Sequence, residues 1–137
     1  MRITKKMVTQ LSYEIIGCAI EVHKELGPGL LESVYEKCLA YELRSRGHKV
    51  IEQLIIPVVY KEIEFDVDFR SDLLVDDLVV VELNAIEYVL PVHEAKLLTY
   101  MKLLKKPQGL LINFFTDNIT KSKKPFVNEY FKALPDF

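Results

Sequence analysis

Along the first part of the chain the apolar positions Leu11, Ile15, Cys18, Ala19, Val22 and Leu26 recur at intervals of three and four. That spacing lines one side of an α-helix, and it predicts a helix over residues 8–26. Gly27-Pro28-Gly29 ends it, since Gly accepts a left-handed cap and Pro cannot extend a helix. A second helix is expected over residues 30–46, with Val34, Cys38, Leu39 and Leu43 inward and Gly47 just past its end. Cys18 and Cys38 both fall on these stripes. Small buried thiols pack as hydrophobes, so both are expected in the core.

The period then changes to two and β-branched residues accumulate. Residues 50–60 and 63–69 read as strands joined by a tight Lys61-Glu62 turn. Glu64, Asp66 and Asp68 alternate with Ile63, Phe65, Val67 and Phe69, which gives the second strand one wet face. Residues 72–75 and 78–83 are continuous apolar runs separated by Asp76-Asp77, as expected of central strands covered on both faces. A helix follows over residues 92–105, then Pro107 and a buried strand over residues 109–115. The segment from Thr116 is polar and lysine-rich before it reaches Phe126, Tyr130, Phe131 and Phe137. The order ααβββ(β)αβ predicts an α/β fold, a central mixed β-sheet flanked by α-helices.

Composition narrows the class. The 137 residues are 50% hydrophobic and 28% charged, with a formal net charge of −2. This disfavours disorder and points to one domain over residues 1–137. No apolar run approaches the ~20 residues of a membrane span, and the charged start is not followed by a signal-like apolar stretch. Two Cys make neither a disulfide framework nor a four-cysteine zinc site. A soluble, cytoplasmic protein with no membrane partner is the expectation. Charge is unevenly spread: from Glu52 to Glu94 there are eleven acids against Lys61 and Arg70, and from Met101 to Lys124 six lysines against Asp117. Two solvated faces of opposite sign explain this. So does an acidic metal-binding centre beside a basic flank that tracks phosphates.

Several apparent motifs fail on inspection. Gly27-Pro28-Gly29-Leu30-Leu31-Glu32 follows a helix instead of a strand and lacks the third small residue of a dinucleotide fingerprint. His93-Glu94-Ala95-Lys96-Leu97 has Leu where a zinc-protease helix needs its second His. Asp66, Asp68 and Asp72 lack the Gly and closing Glu of a calcium loop. There is no P-loop and no Gly-x-Ser-x-Gly elbow, and the three His lie apart at positions 23, 48 and 93.

Asp72 and Glu82 carry the chemistry. Each ends an otherwise apolar central strand, where an unpaired carboxylate is costly unless a cation or hydrogen bond holds it. A pair of hard oxygen ligands suits Mg²⁺ or Mn²⁺. Water-exposed strand ends are the plainer alternative. A two-residue loop, Asp76-Asp77, would pair Asp72 with Val81 and turn Glu82 to the other face. A three-residue loop sets Asp72 across from Glu82, so shared metal binding requires an odd-length loop or a bulge. Asn84 shares Glu82's face.

Gly29-Leu30-Leu31-Glu32-Ser33-Val34-Tyr35-Glu36 resembles the signature of the GxxExxY proteins, a branch of the PD-(D/E)xK nuclease-like superfamily. The resemblance continues through Asp72-Leu73-Leu74-Val75, Glu82-Leu83-Asn84, His93 to Tyr100 and Gly109-Leu110-Leu111-Ile112-Asn113-Phe114. It implies a restriction-endonuclease-like fold, metal ligation by Asp72 and Glu82, and support from Glu32 on its helix. Tyr100 would close a helical Gln-x-x-x-Tyr element. The chain departs from the pattern twice, with Asn84 in place of Lys and Lys96 in place of Gln. Asn donates a hydrogen bond but has no charge to offset a phosphorane. His93, Lys96 and Tyr100 share one helical face, so Lys96 either returns that charge from the helix or sits on a solvated surface. Capping of its own helix is the alternative role for Glu32.

These residues imply Mg²⁺-dependent phosphodiester hydrolysis of nucleic acid, weakened because position 84 is Asn. The alternatives are a catalytically inactive nuclease-fold binding or regulatory protein and an acidic-pocket binder of small molecules. The aromatic C-terminal segment would either pack on a second copy, as a homodimer, or fold back on its own sheet.

Overall fold

The computed structural model describes residues 2–137. Helix α1 (Lys5–Leu26) begins three residues before the periodicity does, because Thr4 caps it: its hydroxyl accepts from the Met7 amide at 3.1 Å. Helix α2 (Glu32–Ser45) starts two residues later than expected. Its buried stripe is Tyr35, Glu36, Leu39, Ala40 and Leu43, whereas Val34 is exposed and Cys38 only partly buried. Tyr35 sets this rotation. Its ring stacks on Phe114 at 4.3 Å between centroids, and its hydroxyl donates to the Gly27 carbonyl and accepts from the Leu30 amide. The Gly-Pro-Gly turn, with Gly27 at φ 73°, is thereby pinned to the next helix.

Strands β1 (Val50–Ile55), β4 (Arg70–Val75), β5 (Val79–Asn84), β6 (Gln108–Asn113) and β7 (Lys124–Val127) form one sheet in the order β1-β4-β5-β6-β7. The β5–β6 pair is parallel and the others are antiparallel. The expected strand over residues 50–60 is two strands, broken at Ile56-Pro57, where Pro has no amide to donate. Its second part, β2 (Val58–Tyr60), pairs only with β3 (Ile63–Phe65), in a separate hairpin turned by Lys61 and Glu62 at positive φ. The expected single wet face of β3 is corrected accordingly: Ile63 and Phe65 are exposed together with Glu64, because no layer covers this hairpin.

Alternation along β5 divides the core in two. Val79, Val81 and Leu83 pack with α1, α2 and the short α4 (Ile119–Ser122). Val80, Leu74 and Leu111 pack with Leu97, Tyr100 and Met101 of α3 (Pro91–Leu104). The segment expected to be a polar tail contains α4, β7 and α5 (Glu129–Lys132), and it folds back on the sheet. Phe131 and Leu134 pack against one core and Phe126 against the other, whereas Phe137 is exposed. Lys106 and Lys124 pair with Asp77 and Glu94, so the basic stretch partly neutralises the acidic one. Among the described residues no helix is long and apolar enough to cross a membrane.

Candidate functional site

The β4–β5 connection is a three-residue turn, Asp76, Asp77 and Leu78, with both aspartates at positive φ. Asp76 is held there by the Lys49 amide and by the His48 ring. Val75 therefore pairs with Val79, Leu74 with Val80 and Leu73 with Val81. One step further along this register places Asp72 across from Glu82. The backbone ladder stops before that step, and the two carboxylates take its place. Leu83 donates its amide to Asp72 Oδ2 at 2.8 Å, and Asp72 donates its own to Glu82 Oε1 at 3.4 Å. Both side chains belong to the face that packs against α3, with Leu74 and Val80.

Burial makes this pair electrostatically expensive. Glu82 is only 6% exposed, and its pKa is pushed up to about 8. Desolvation is the main cause, and the Asp72 charge and a hydrogen bond with Asp72 add to it; Lys96 opposes them. At neutral pH without a cation, Glu82 therefore holds a proton beside Asp72. Tyr100, also buried, has its phenol pKa raised by desolvation, with Lys96 opposing and both carboxylates reinforcing.

Helix α3 brings Lys96 to the same place. With Gln53, Arg70, Asp72 and Tyr100 it lines an open cleft of about 740 Å³; Glu82 does not line it. The Lys96 ammonium lies 5.4 Å from the centroid of the Tyr100 ring. It makes no ion pair with Asp72 or Glu82 among the described residues, and reaches Glu82 as a through-space charge. Asn84 ends β5, level with Asn113 of β6. Asn113 is tied to Ile86 and Phe115, whereas the Asn84 side chain makes no hydrogen bond among the described residues.

Glu32 opens α2, and its Oε1 accepts from the Ala85 amide at 3.3 Å, so it braces the chain just beyond β5. Two residues to which the sequence reading gave no role, Glu36 and Gln53, are linked to Asp72 by hydrogen bonds. Glu36, 7% exposed, accepts from Gln53 Nε2 at 2.5 Å, and the same amide donates to Asp72 Oδ1 at 3.3 Å. Desolvation raises the Glu36 pKa, the Gln53 hydrogen bond opposes this, and Asp72 and Glu52 add to the rise. The signal for Glu36 was present: it lies three residues before Leu39 and seven before Leu43, on the buried stripe. Gln53 had none, since an αL residue inside a strand leaves no mark on periodicity.

The donors fit a divalent cation that keeps much of its water. Two carboxylates from adjacent strands, one of them forced to stay protonated, gain most from a positive charge between them. Among the described residues no group of three His, Cys, Asp or Glu gathers as a fuller cage.

The family model described as the PD-(D/E)XK nuclease superfamily matches residues 9–125. No curated protein and no solved structure matches the chain.

Proposed function

Because this chain belongs to the PD-(D/E)XK nuclease superfamily, we propose that it is a Mg²⁺- or Mn²⁺-dependent phosphodiesterase of the GxxExxY branch that cleaves nucleic acid slowly. The observation that carries this is the Asp72–Glu82 pair on the α3 face with Lys96 beside it. Asp72 and Glu82 would hold the cation. When bound, it supplies charge to polarise a phosphoryl oxygen and to lower the pKa of a water.

The remaining parts belong to the chain. The reciprocal backbone hydrogen bonds fix both carboxylates before any ligand arrives. Lys96 places a positive charge at the cleft that holds Asp72, where it offsets charge developing on a phosphate. Tyr100 has its phenol held neutral by burial and steadies the ammonium over its ring. Asn84 offers an amide donor with no charge and no usable pKa, which is why cleavage is slow.

Mg²⁺ at about a hundredfold excess over its Kd should stabilise the wild type by about 2.7 kcal/mol in a thermal shift. Asp72→Ala should show no such gain; equal responses would refute the metal site. In a nuclease assay, Lys96→Ala should lose about 10²-fold in rate or more, and Asn84→Lys should gain. The second reading, a nuclease-fold binding or regulatory protein, is favoured by Asn84 alone. It predicts metal-induced stabilisation without cleavage in the wild type or in Asn84→Lys.

A further inference from the structure

Six non-glycine residues of the described chain adopt positive φ. Lys61, Glu62, Asp76 and Asp77 turn hairpins, and Lys105 caps α3. Gln53, at φ 53°, is the only one of them inside a strand. The β1–β4 pairing runs through Val50, Ile51 and Glu52, passes over Gln53 and resumes at Leu54. Val50 packs with the α2-side core and Leu54 with the α3-side core, so the strand passes from one core to the other across this residue. The same backbone conformation carries the Gln53 amide to a point where one nitrogen serves two acids. It donates to Glu36 of α2 and to Asp72 of β4.

Resting on the metal-site reading above, we propose that Gln53 is a positioning residue for Asp72. Its amide holds Asp72 Oδ1 while the Leu83 amide holds Oδ2, so the carboxylate is clamped from both sides. Glu36 is the anchor: buried on α2, it fixes the other end of the contact made by Gln53 Nε2. A β-branched or aliphatic residue at position 53 would supply neither the left-handed backbone nor the donor. Glutamine supplies the donor and tolerates the conformation at some cost in strain.

Gln53→Gly separates the two contributions, because Gly keeps positive φ without strain and removes the side chain that carries the amide. In EDTA, hydrogen exchange at the Leu83 amide should quicken about fivefold or more in Gln53→Gly, since its acceptor is no longer held. The Val81 and Leu111 amides should be unchanged. With metal, the Mn²⁺ Kd measured by paramagnetic resonance should rise about fivefold to tenfold, at a Tm equal to or above that of the wild type. Unchanged Leu83 exchange would overturn the positioning role whatever the metal does. Quickened exchange in a protein whose wild type binds no Mn²⁺ would uphold the clamp and refute the metal site instead. A quickening shared by Val81 and Leu111, with a lower Tm, would mean that Gln53 merely stabilises the fold, and would also overturn the proposal.

Discussion

At the scale of single residues, the site rests on side chains that replace backbone hydrogen bonds. Asp72 and Glu82 accept the amides that the β4–β5 ladder would otherwise pair, and Tyr35 performs a similar service for the Gly27 turn. Tyr35→Phe keeps the stacking on Phe114 but orphans a carbonyl and an amide. It should cost about 1–2 kcal/mol in urea unfolding, and it should loosen the start of α2, where Glu32 stands. The two central acids were legible in the sequence because carboxylates are conspicuous at the ends of apolar strands. Their opposition was legible as a condition on loop length, and the loop meets it. Lys96 was legible as a helical-face neighbour of Tyr100, although only the packing of α3 decided which way that face looks. Gln53 was hidden because its reach depends on a dihedral angle and not on residue type.

At the scale of elements, the position of α3 decides whether Lys96 and Tyr100 serve the pair. That helix lies so close to β6 that a Cβ at Gly109 would come within 2.5 Å of Met101 Sδ and 3.0 Å of Leu97 Cδ1. Gly109→Ala should therefore displace α3 or its side chains. The expected loss is about 1–3 kcal/mol of stability, with a weaker metal response for the same substitution; an unchanged melting curve would contradict this packing. The central strands and long helices were readable because their apolar periods are long and unambiguous. The Lys61-Glu62 hairpin was readable as two strands, but its expected covered face was not, since a run of β-formers does not say whether a layer packs on it. Strand β7 was missed altogether, because a lysine-rich edge strand has an outer side that faces water.

Across the whole molecule, the arrangement is restriction-endonuclease-like, with α1, α2 and α4 on one face of the mixed sheet and α3 on the other. Its stability should carry the signature of Glu82. The folded pKa of about 8 lies above the ordinary value of 4.5, so the folded state binds the extra proton between those limits. Stability should therefore fall as pH rises through that window and level off above it. In EDTA we expect a loss of about 2–3 kcal/mol, roughly 10 °C in Tm, between pH 6 and 8.5. Glu82→Gln should flatten the curve, and saturating Mg²⁺ should flatten it in the wild type. A wild-type Tm in EDTA that rises with pH in this range would contradict the burial of Glu82. The folded-back C-terminal segment has a consequence of its own. The Lys5 amide bonds the Pro135 carbonyl at 2.8 Å and the Lys6 amide bonds that of Asp136, so the segment closes against the first turn of α1. The hairpin tip at Lys61-Glu62, by contrast, lies outside the five-stranded sheet. Lys5 and Pro135 are thus neighbours in space: a circular permutant of residues 1–137 opened at the hairpin tip and closed by a short linker should fold with the Asp72–Glu82 pair undisturbed.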